Sequence, residues 1–280
     1  MNGPLRLRLP GSSRAQPHGQ RGAPLTVLSP HFDDAVLSCS QVLFAHPGST
    51  VITVFAGRPS DGRWGSWDKK CFRPGQDPIS VLQKEDREAL AALTALPVNL
   101  PFLDAEYGTA YLIEEITQVL ASRLDALAPE SVLVPLGILH VDHVATNKAA
   151  IGLIRDRPHI RWIIYEELPY RFEYLEHREV RKRELSEEGF GLSELTLPYD
   201  PNKRVKLRAI RHYKSQVKAL GRVRIERALY DEQYWKVSAL GEAEVRSCDE
   251  ASVVTERKAA GSSMLDRAAP EEVVSECSEA

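Results

Sequence analysis

Two short polar segments of the chain concentrate side chains that bind metals or move protons. One is the run SPHFDD from Ser29 to Asp34, and the other is the run HVDH from His140 to His143. A catalytic zinc takes three protein ligands from His and Asp or Glu and keeps an open position for water. The remaining side chains can supply a base for that water and an acid for the leaving group. Together the two segments predict a metal-dependent hydrolytic site.

Each segment also has a purely structural interpretation. Asp33 or Asp34 could simply cap the helix that begins there, because Asp is favoured at helix N-termini. His140 and His143 could be unremarkable residues at the polar start of another helix. Caps alone explain poorly why so many metal-binding and acid–base side chains gather in just two segments. The metal site is therefore favoured.

The pattern of apolar runs indicates which elements position these segments. Continuous β-branched runs such as VITVFA and SVLVPL are typical of strands buried on both faces of a sheet. Strands that alternate with longer amphipathic segments predict a Rossmann-like α/β fold, a mostly parallel sheet with helices on both faces. Such sheets bind ligands beyond the carboxyl ends of their strands, where both polar segments fall. The predicted strands are Leu25–Ser29, Val51–Ala56, Asn99–Leu103, Ser131–Leu136 and Arg161–Tyr165, and the predicted helices are Asp33–Ala45, Pro78–Leu96, Ile113–Leu127 and Asp142–Arg155.

The regular alternation fades after the fifth strand. Residues 171–198 read as a helix followed by a strand at Leu195–Leu197. Lys203–Arg227 reads as one long helix, rich in Lys and Arg, with Glu226 as its single acid. This helix could contact nucleic acid, but no recognition motif accompanies its charge, so a solvated helix face is favoured.

A loop after the second strand holds candidate sugar contacts. Within the segment from Gly57 to Phe72, Trp64 and Trp67 could stack on a sugar ring, and Arg63 and Asp68 could hydrogen-bond its hydroxyls. Alternatively, one of these Trp side chains anchors the loop to the core.

A further candidate substrate contact is Glu166 or its neighbour Glu167, at the end of the RWIIY strand. Its alternative is a plain surface acid.

Composition limits the class of protein and the compartment. The 280 residues are 43% hydrophobic and 27% charged with a net charge of −3, which is ordinary for a globular protein and gives no field that favours nucleic acid. The four cysteines show no zinc-like spacing, and no apolar run is long enough to span a membrane. We expect a cytoplasmic protein with a disordered extension at residues 1–23, one enzyme domain at residues 24–240 and a disordered acidic tail at residues 241–280.

The paired motifs PHFDD and HVDH resemble the LmbE/PIG-L family of N-acetylglucosaminyl deacetylases. The resemblance implies a Rossmann-like fold with Zn²⁺ as cofactor, although the same ligands accept Fe²⁺. By that resemblance, His31, Asp34 and His143 are the metal ligands. The family's usual HPDDE motif is changed here at Phe32 and Ala35, which weakens assignment to a well-known subfamily.

The same resemblance assigns the acid–base roles. Asp33 matches the general base, His140 matches the residue that steadies the oxyanion and protonates the leaving amine, and Asp142 matches the acid that holds His140. The segment SPHFDDAVLSC is more similar to bacterial members of the family that act on sugar-bearing natural products, including the deacetylases of glycopeptide-antibiotic glucosamine.

The implied function is a zinc-dependent hydrolase that removes an N-acetyl group from an N-acetylglucosamine-type sugar or conjugate and releases acetate. The implied partner is a small N-acetylated sugar, with no nucleic acid and no membrane span. One alternative is a metallohydrolase of another ester or amide; no GxxxxGK[ST] loop and no GxSxG elbow is present to suggest nucleotide or serine-hydrolase chemistry. The other alternative is a non-catalytic sugar-binding module on the same fold.

Overall fold

A central seven-stranded sheet organises the computed structural model, which describes residues 21–240 except Tyr174. The strand order is β3-β2-β1-β4-β5-β7-β6. The first five strands are parallel, and the last two join as antiparallel partners. The strands are β1 Thr26–Ser29, β2 Thr50–Thr53, β3 Leu96–Asn99, β4 Ser131–Pro135, β5 Arg161–Tyr165, β6 Phe190–Leu195 and β7 Tyr234–Ala239. The predicted α/β class is confirmed.

Helices cover both faces of this sheet. Successive residues of β1 point to opposite faces, so Val27 joins one apolar cluster and Leu28 joins the other. Both side chains have no exposed surface, which explains why the central strands read as continuous apolar runs. The helices are α1 Asp34–Ala45, α2 Ser66–Cys71, α3 Pro78–Ala92, α4 Ile113–Leu127, α5 Val141–Ile151, α6 Leu175–Glu187, α7 Lys203–Ile210 and α8 Lys214–Ala228.

The strand order places one crevice between β1 and β4. From β1 the chain builds β2 and β3 on one side, then returns to add β4 on the other side of β1. β1 and β4 are paired in parallel, so their carboxyl ends lie side by side at the switch point where such folds bind ligands. Helices α1 and α5 begin just beyond these two strand ends.

The third strand and the helix before it differ from the sequence prediction. Helix α3 ends at Ala92 rather than Leu96, and the strand runs over Leu96–Asn99 rather than Asn99–Leu103. Thr94 adopts a left-handed φ of 57°, which a right-handed helix cannot contain. The turn at this residue ends the helix and lets the strand begin early.

The predicted long basic helix is divided into α7 and α8, and α8 is itself broken at Gly221, whose φ is 80°. Between α7 and α8, Tyr213 is buried and its hydroxyl donates to Asp86, which fixes the break. The positive charge of α7 is partly neutralised inside the fold, because Lys203 pairs with Asp231 and Lys206 pairs with Glu232. The expected solvated helix face therefore does not include Lys203 and Lys206, which are buried.

The antiparallel edge of the sheet was only partly foreseen. β6 occupies Phe190–Leu195 rather than Leu195–Leu197, and β7 at Tyr234–Ala239 had no counterpart in the prediction. β7 pairs with β5 on one side and β6 on the other. Its six residues alternate only weakly between buried and exposed positions, so their pattern carried little signal.

The predicted terminal segments fall almost entirely outside the described residues, which begin at 21 and end at 240. Within the predicted N-terminal extension, Gly22 donates to Ala45 and the Ala23 carbonyl meets the His46 ring. Gly22 and Ala23 therefore contact the end of α1 and the residue that follows it. In the part of the chain from 21 to 240, no helix combines the length and apolarity needed to cross a membrane.

Candidate active site

The ends of β1 and β4 bring three imidazole rings together. His31 follows β1, whereas His140 and His143 lie at the start of α5 after β4. The centroid of the His31 ring lies 4.9 Å from that of His140 and 5.3 Å from that of His143. One ring nitrogen from each of the three lies within 4.8 Å of the others, which is close enough to hold a metal ion. The two segments therefore meet as the sequence predicted.

Asp34 lies between two of these rings. Its Oδ2 atom is 3.2 Å from His31 Nδ1 and 3.2 Å from His143 Nε2. Tetrahedral ligands at zinc-like distances from one ion are about 3.3 Å apart, and the two Asp34 contacts match that spacing. The donor set of two imidazoles and a carboxylate also fits a divalent metal.

The outer nitrogens of both rings face carboxylates as well. His31 Nε2 lies 3.0 Å from Asp142 Oδ2 and 3.3 Å from Asp104 Oδ2. His143 Nδ1 lies 3.3 Å from Glu167 Oε1. Carboxylates that hold the outer nitrogen of a ligating imidazole fix its tautomer and orientation. Both rings are thus held from two sides.

The neighbouring carboxyl groups of Asp33 and Asp34 have pKa values that shift in opposite directions. Burial, and next the negative charge of Asp34, raise the pKa of Asp33 to about 7. Burial alone would raise the pKa of Asp34 too, but the neighbouring His143 and His31 hold it well below its usual range. Asp33 makes no side-chain capping bond to α1, although it precedes that helix. One carboxylate is therefore poised to accept a proton near neutral pH while the other stays ionised.

Opposing effects act on the imidazoles. Burial lowers the pKa of His143, but the adjacent Asp34 outweighs this and raises it to about 9. Burial also lowers the pKa of His31. The surrounding carboxylates, with Asp104 first among them, outweigh burial and raise this pKa well above its usual value. For His140, burial and the positive charges of the other two rings lower the pKa. The pKa of His140 therefore shifts in the opposite direction from those of His31 and His143.

His140 caps helix α5 through its own ring. The backbone N–H of Asp142 donates to His140 Nδ1 at 3.3 Å, so the ring proton sits on Nε2. The Asp142 carboxylate is 3.8 Å from His140 Nδ1, farther than its 3.0 Å contact with His31. The structure thus places Asp142 against His31 more closely than against His140, its expected partner. The residue before His140, Leu139, has a left-handed φ of 67°.

A cavity of about 360 Å³ opens over these groups. Of the predicted sugar contacts, Trp67 and Asp68 line it. Trp67 Nε1 donates to Gln216 on α8, and Asp68 accepts from the Tyr107 hydroxyl. Its apolar walls come from several elements and include Phe55, Ile79, Leu82, Leu139 and Leu220. The cavity is large enough for a sugar ring and has both polar and apolar surface.

The other three predicted sugar contacts lie elsewhere. Arg63 is exposed and pairs with Asp61. Trp64 lines a separate shallow depression with residues 74–77. Glu166 is fully buried and pairs with Arg171 and Arg178, so it is neither a surface acid nor a cavity residue. The surroundings of Glu166 are set by ion pairs with arginines that come later in the chain, and its place at the end of a strand gives no sign of those partners.

The loop after β3 supplies site residues that the sequence analysis did not name. Asp104 reaches His31, and Glu106 lines the cavity while accepting from the Trp67 backbone N–H. Burial raises the pKa of Glu106 to about 7. Asp104 follows a strand end, which was a usable signal. The predicted strand Asn99–Leu103 ends directly before Asp104, so this signal was present in the sequence and was not applied to that residue.

Comparisons with known proteins agree with this geometry. The family model described as PIG-L, GlcNAc-PI de-N-acetylase, matches residues 26–154. A triple mutant of the deacetylase Orf2 from the teicoplanin biosynthetic pathway is 26% identical, with a TM-score of 0.65 over 79% of this chain and 100% of that chain. The A40926 pseudoaglycone deacetylase Dbv21 is 25% identical, with a TM-score of 0.63 over 78% of this chain and 98% of that chain.

A zinc-inhibited form of teicoplanin deacetylase Orf2 shares the fold, at 22% identity and a TM-score of 0.64 over 79% of this chain and 100% of that chain. No match is found among curated protein sequences.

The fold and the His/Asp cluster at its switch point define a hydrolase of the deacetylase class. More specifically, residues 26–154, which contain both polar motifs, match the PIG-L family model.

Proposed function

We propose that the chain is a cytoplasmic, zinc-dependent deacetylase that removes the acetyl group from an N-acetylglucosamine-type sugar or conjugate. The observation that carries the proposal is the position of Asp34 Oδ2, 3.2 Å from a nitrogen of both His31 and His143, beside a cavity lined by Asp33 and His140. This arrangement gives a ligand set, a base and a hydrogen-bond donor around one point. Fe²⁺ is the alternative ion that the same donors accept.

The similarity to two deacetylases suggests a class of substrate. One belongs to the teicoplanin biosynthetic pathway and the other is the A40926 pseudoaglycone deacetylase, and this chain covers 100% and 98% of them. A natural-product glycoside is therefore the first conjugate to test. Trp67 gives the cavity an aromatic wall on which a sugar ring can pack, whereas Asp68 is buried and its carboxylate already accepts from Tyr107.

Asp33 is the base in the proposed reaction. A divalent ion held by His31, Asp34 and His143 would supply Lewis-acid chemistry that polarises the acetyl carbonyl and activates water. Asp33 takes the proton from that water, since its pKa of about 7 leaves it ready to bind a proton at neutral pH. The same carboxyl can then give this proton to the departing amine.

His140 acts as a hydrogen-bond donor in this scheme. Its Nδ1 accepts from the Asp142 backbone, so Nε2–H is the group it can present to the acetyl oxygen. A neutral imidazole that lost this proton would become an anion. The amine proton is therefore assigned to Asp33, and His140 stabilises the oxyanion.

The function is tested with purified full-length chain stripped of metal by a chelator and then reloaded with Zn²⁺ or Fe²⁺. Acetate release is measured on N-acetylglucosamine, chitobiose, an N-acetylglucosaminyl lipid and an N-acetylated glycopeptide. We expect activity only after reloading, and on at least one of these substrates. Cleavage of p-nitrophenyl esters without any amide cleavage would refute the deacetylase proposal.

A further inference from the structure

Two consecutive buried glutamates follow β5, and they face different partners. Neither Glu166 nor Glu167 has exposed surface. Glu166 pairs with the guanidinium groups of Arg171 and Arg178. Glu167 instead points to the site, where its Oε1 atom lies 3.3 Å from His143 Nδ1. Adjacent side chains of an extended segment point in opposite directions, which explains the division.

Glu167 joins His143 to the turn that follows β4. Besides the imidazole contact, Oε1 accepts from the backbone N–H groups of Gly137 at 2.9 Å and Ile138 at 3.1 Å. Gly137 has a φ of 85°, and a Cβ there would lie 2.9 Å from the Cβ of Asn147, so the turn can approach only as glycine. One carboxylate oxygen thus ties the β4 turn to the ring on α5.

The second carboxylate oxygen of Glu167 lacks the contacts that would offset the cost of its burial. Its Oε2 atom is buried, with no hydrogen-bond partner among the described residues. Burying a carboxylate is costly unless it is paired, and Glu166 shows how this fold pairs one with arginines. For Glu167 the only described cationic partner is the ring of His143. The cost of burying this carboxylate is therefore linked to holding that imidazole.

We propose that Glu167 is a positioning residue that holds His143 so that its Nε2 atom faces the metal position beside Asp34. The proposal rests on the proposed function, because it gives His143 a ligand role. A hydrogen bond from Nδ1–H to Glu167 fixes the proton on Nδ1 and leaves the Nε2 lone pair for the ion. Asp142 has the same geometric relation to His31, 3.0 Å from its outer nitrogen.

The first measurement is zinc affinity by competition with a chelator of known affinity. E167A should bind Zn²⁺ about 10–100-fold more weakly than the unmodified chain, as expected for loss of an outer-shell partner. E167Q keeps an oxygen acceptor but loses the charge, so its affinity should fall between the two. E166Q is the matched control, because Glu166 is equally buried one residue away: it should lower the Tm and leave zinc affinity unchanged.

The second measurement follows the His143 ring by ¹⁵N-edited NMR. In the zinc-loaded protein the Nδ1–H resonance of His143 should be protected from exchange, remain so in E166Q, and be lost in E167A. Folded E167A with unchanged zinc affinity and a retained resonance would overturn the proposal. If E167A does not fold, the isosteric E167Q decides on the same two readouts.

The outcomes also separate the two proposals. An unmodified chain that binds neither Zn²⁺ nor Fe²⁺ removes the proposed function. The ring resonance of the metal-free protein, compared with E167Q, then still shows whether Glu167 holds His143. Tight zinc binding that is indifferent to Glu167 removes only the positioning role.

Discussion

Two buried polar clusters lie along helix α1, and they differ in how completely their groups are satisfied. The cluster at Glu232 is closed: its two oxygens accept from Lys206, the Tyr234 hydroxyl and the backbone N–H groups of Gln41 and Val42. The cluster at the start of α1 crowds carboxylates around imidazoles, and it includes a buried Glu167 oxygen that has no hydrogen-bond partner within the described part of the chain. The first cluster stabilises the fold, whereas the second keeps donors available for a ligand.

The comparison teaches that burial alone does not identify a functional group. Lys206 and Asp34 are both buried and both contact an opposite charge. What distinguishes Asp34 is that its partners are titratable rings and that a second carboxylate, Asp33, lies next to it in the cavity. Substitutions in the two clusters should therefore change different quantities.

The largest expected effect is on catalysis, from D33N. Removing the general base should lower kcat for acetate release by about 10²–10⁴-fold, the usual contribution of a positioned base. The zinc content should stay at that of the unmodified chain, since Asp33 is not a proposed ligand. Atomic absorption and steady-state kinetics check the two expectations, and normal turnover in D33N would remove Asp33 from the mechanism.

A comparably large effect on stability, but not on zinc affinity, is expected from K206M. The substitution leaves the Glu232 carboxylate buried without its cation, which costs about 3–5 kcal/mol for a broken buried pair. Urea unfolding measures the loss. A K206M chain of unchanged stability would show that the Glu232 cluster is not the structural counterpart described above.

A smaller effect should appear in the pH dependence of stability. Burial raises the pKa of Asp86 to about 7, although the Tyr213 hydroxyl opposes this. The folded state thus binds this proton more tightly than the unfolded state, whose Asp titrates near 4. The stabilising contribution of Asp86 is full below about pH 4 and is lost as pH rises to about 7, by up to about 4 kcal/mol.

D86N should remove this dependence. The stability of the unmodified chain relative to D86N should fall between pH 4 and pH 7 and then level off, as measured by urea unfolding across that range. Parallel curves for the two proteins would show that Asp86 titrates normally.

The smallest expected effect comes from W67F at the cavity wall. Trp67 Nε1 donates to Gln216 at 2.7 Å, and this bond joins α2 to α8 across the cavity. Loss of one hydrogen bond of about 1 kcal/mol should raise KM a few-fold with little change in kcat. An equal fall in kcat would instead place Trp67 in contact with the reacting group.

The parallel part of the fold was accessible from the sequence for a physical reason. Strands such as β1 and β4 are buried on both faces, so their residues form continuous apolar runs that end at polar motifs. Convergence of His31 and His143 follows from the switch point of such a sheet. These parts could be predicted because a continuous apolar run and the polar motif at its end are local patterns that indicate one structure, a buried strand with a site at its carboxyl end.

The parts of the fold and of the site that could not be predicted depend on contacts between residues that are distant in sequence. Glu166 and Glu167 are chemically identical neighbours, and only Arg171, Arg178 and the β4 turn give them separate roles. β7 lies on the antiparallel edge, where its weak alternation depends on what β5 and β6 present to it. Long-range pairing of this kind leaves no spacing pattern in the sequence.

The left-handed turn at Leu139 has a practical consequence for engineering. A non-glycine residue at a φ of 67° is strained by about 1 kcal/mol, and this one is a large, 44% exposed leucine on the wall of the cavity. Glycine there would relax the backbone, but it would also remove an apolar side chain from the cavity wall and make the backbone before His140 more flexible. A substitution at position 139 chosen for heat tolerance therefore also changes the surface that the cavity presents.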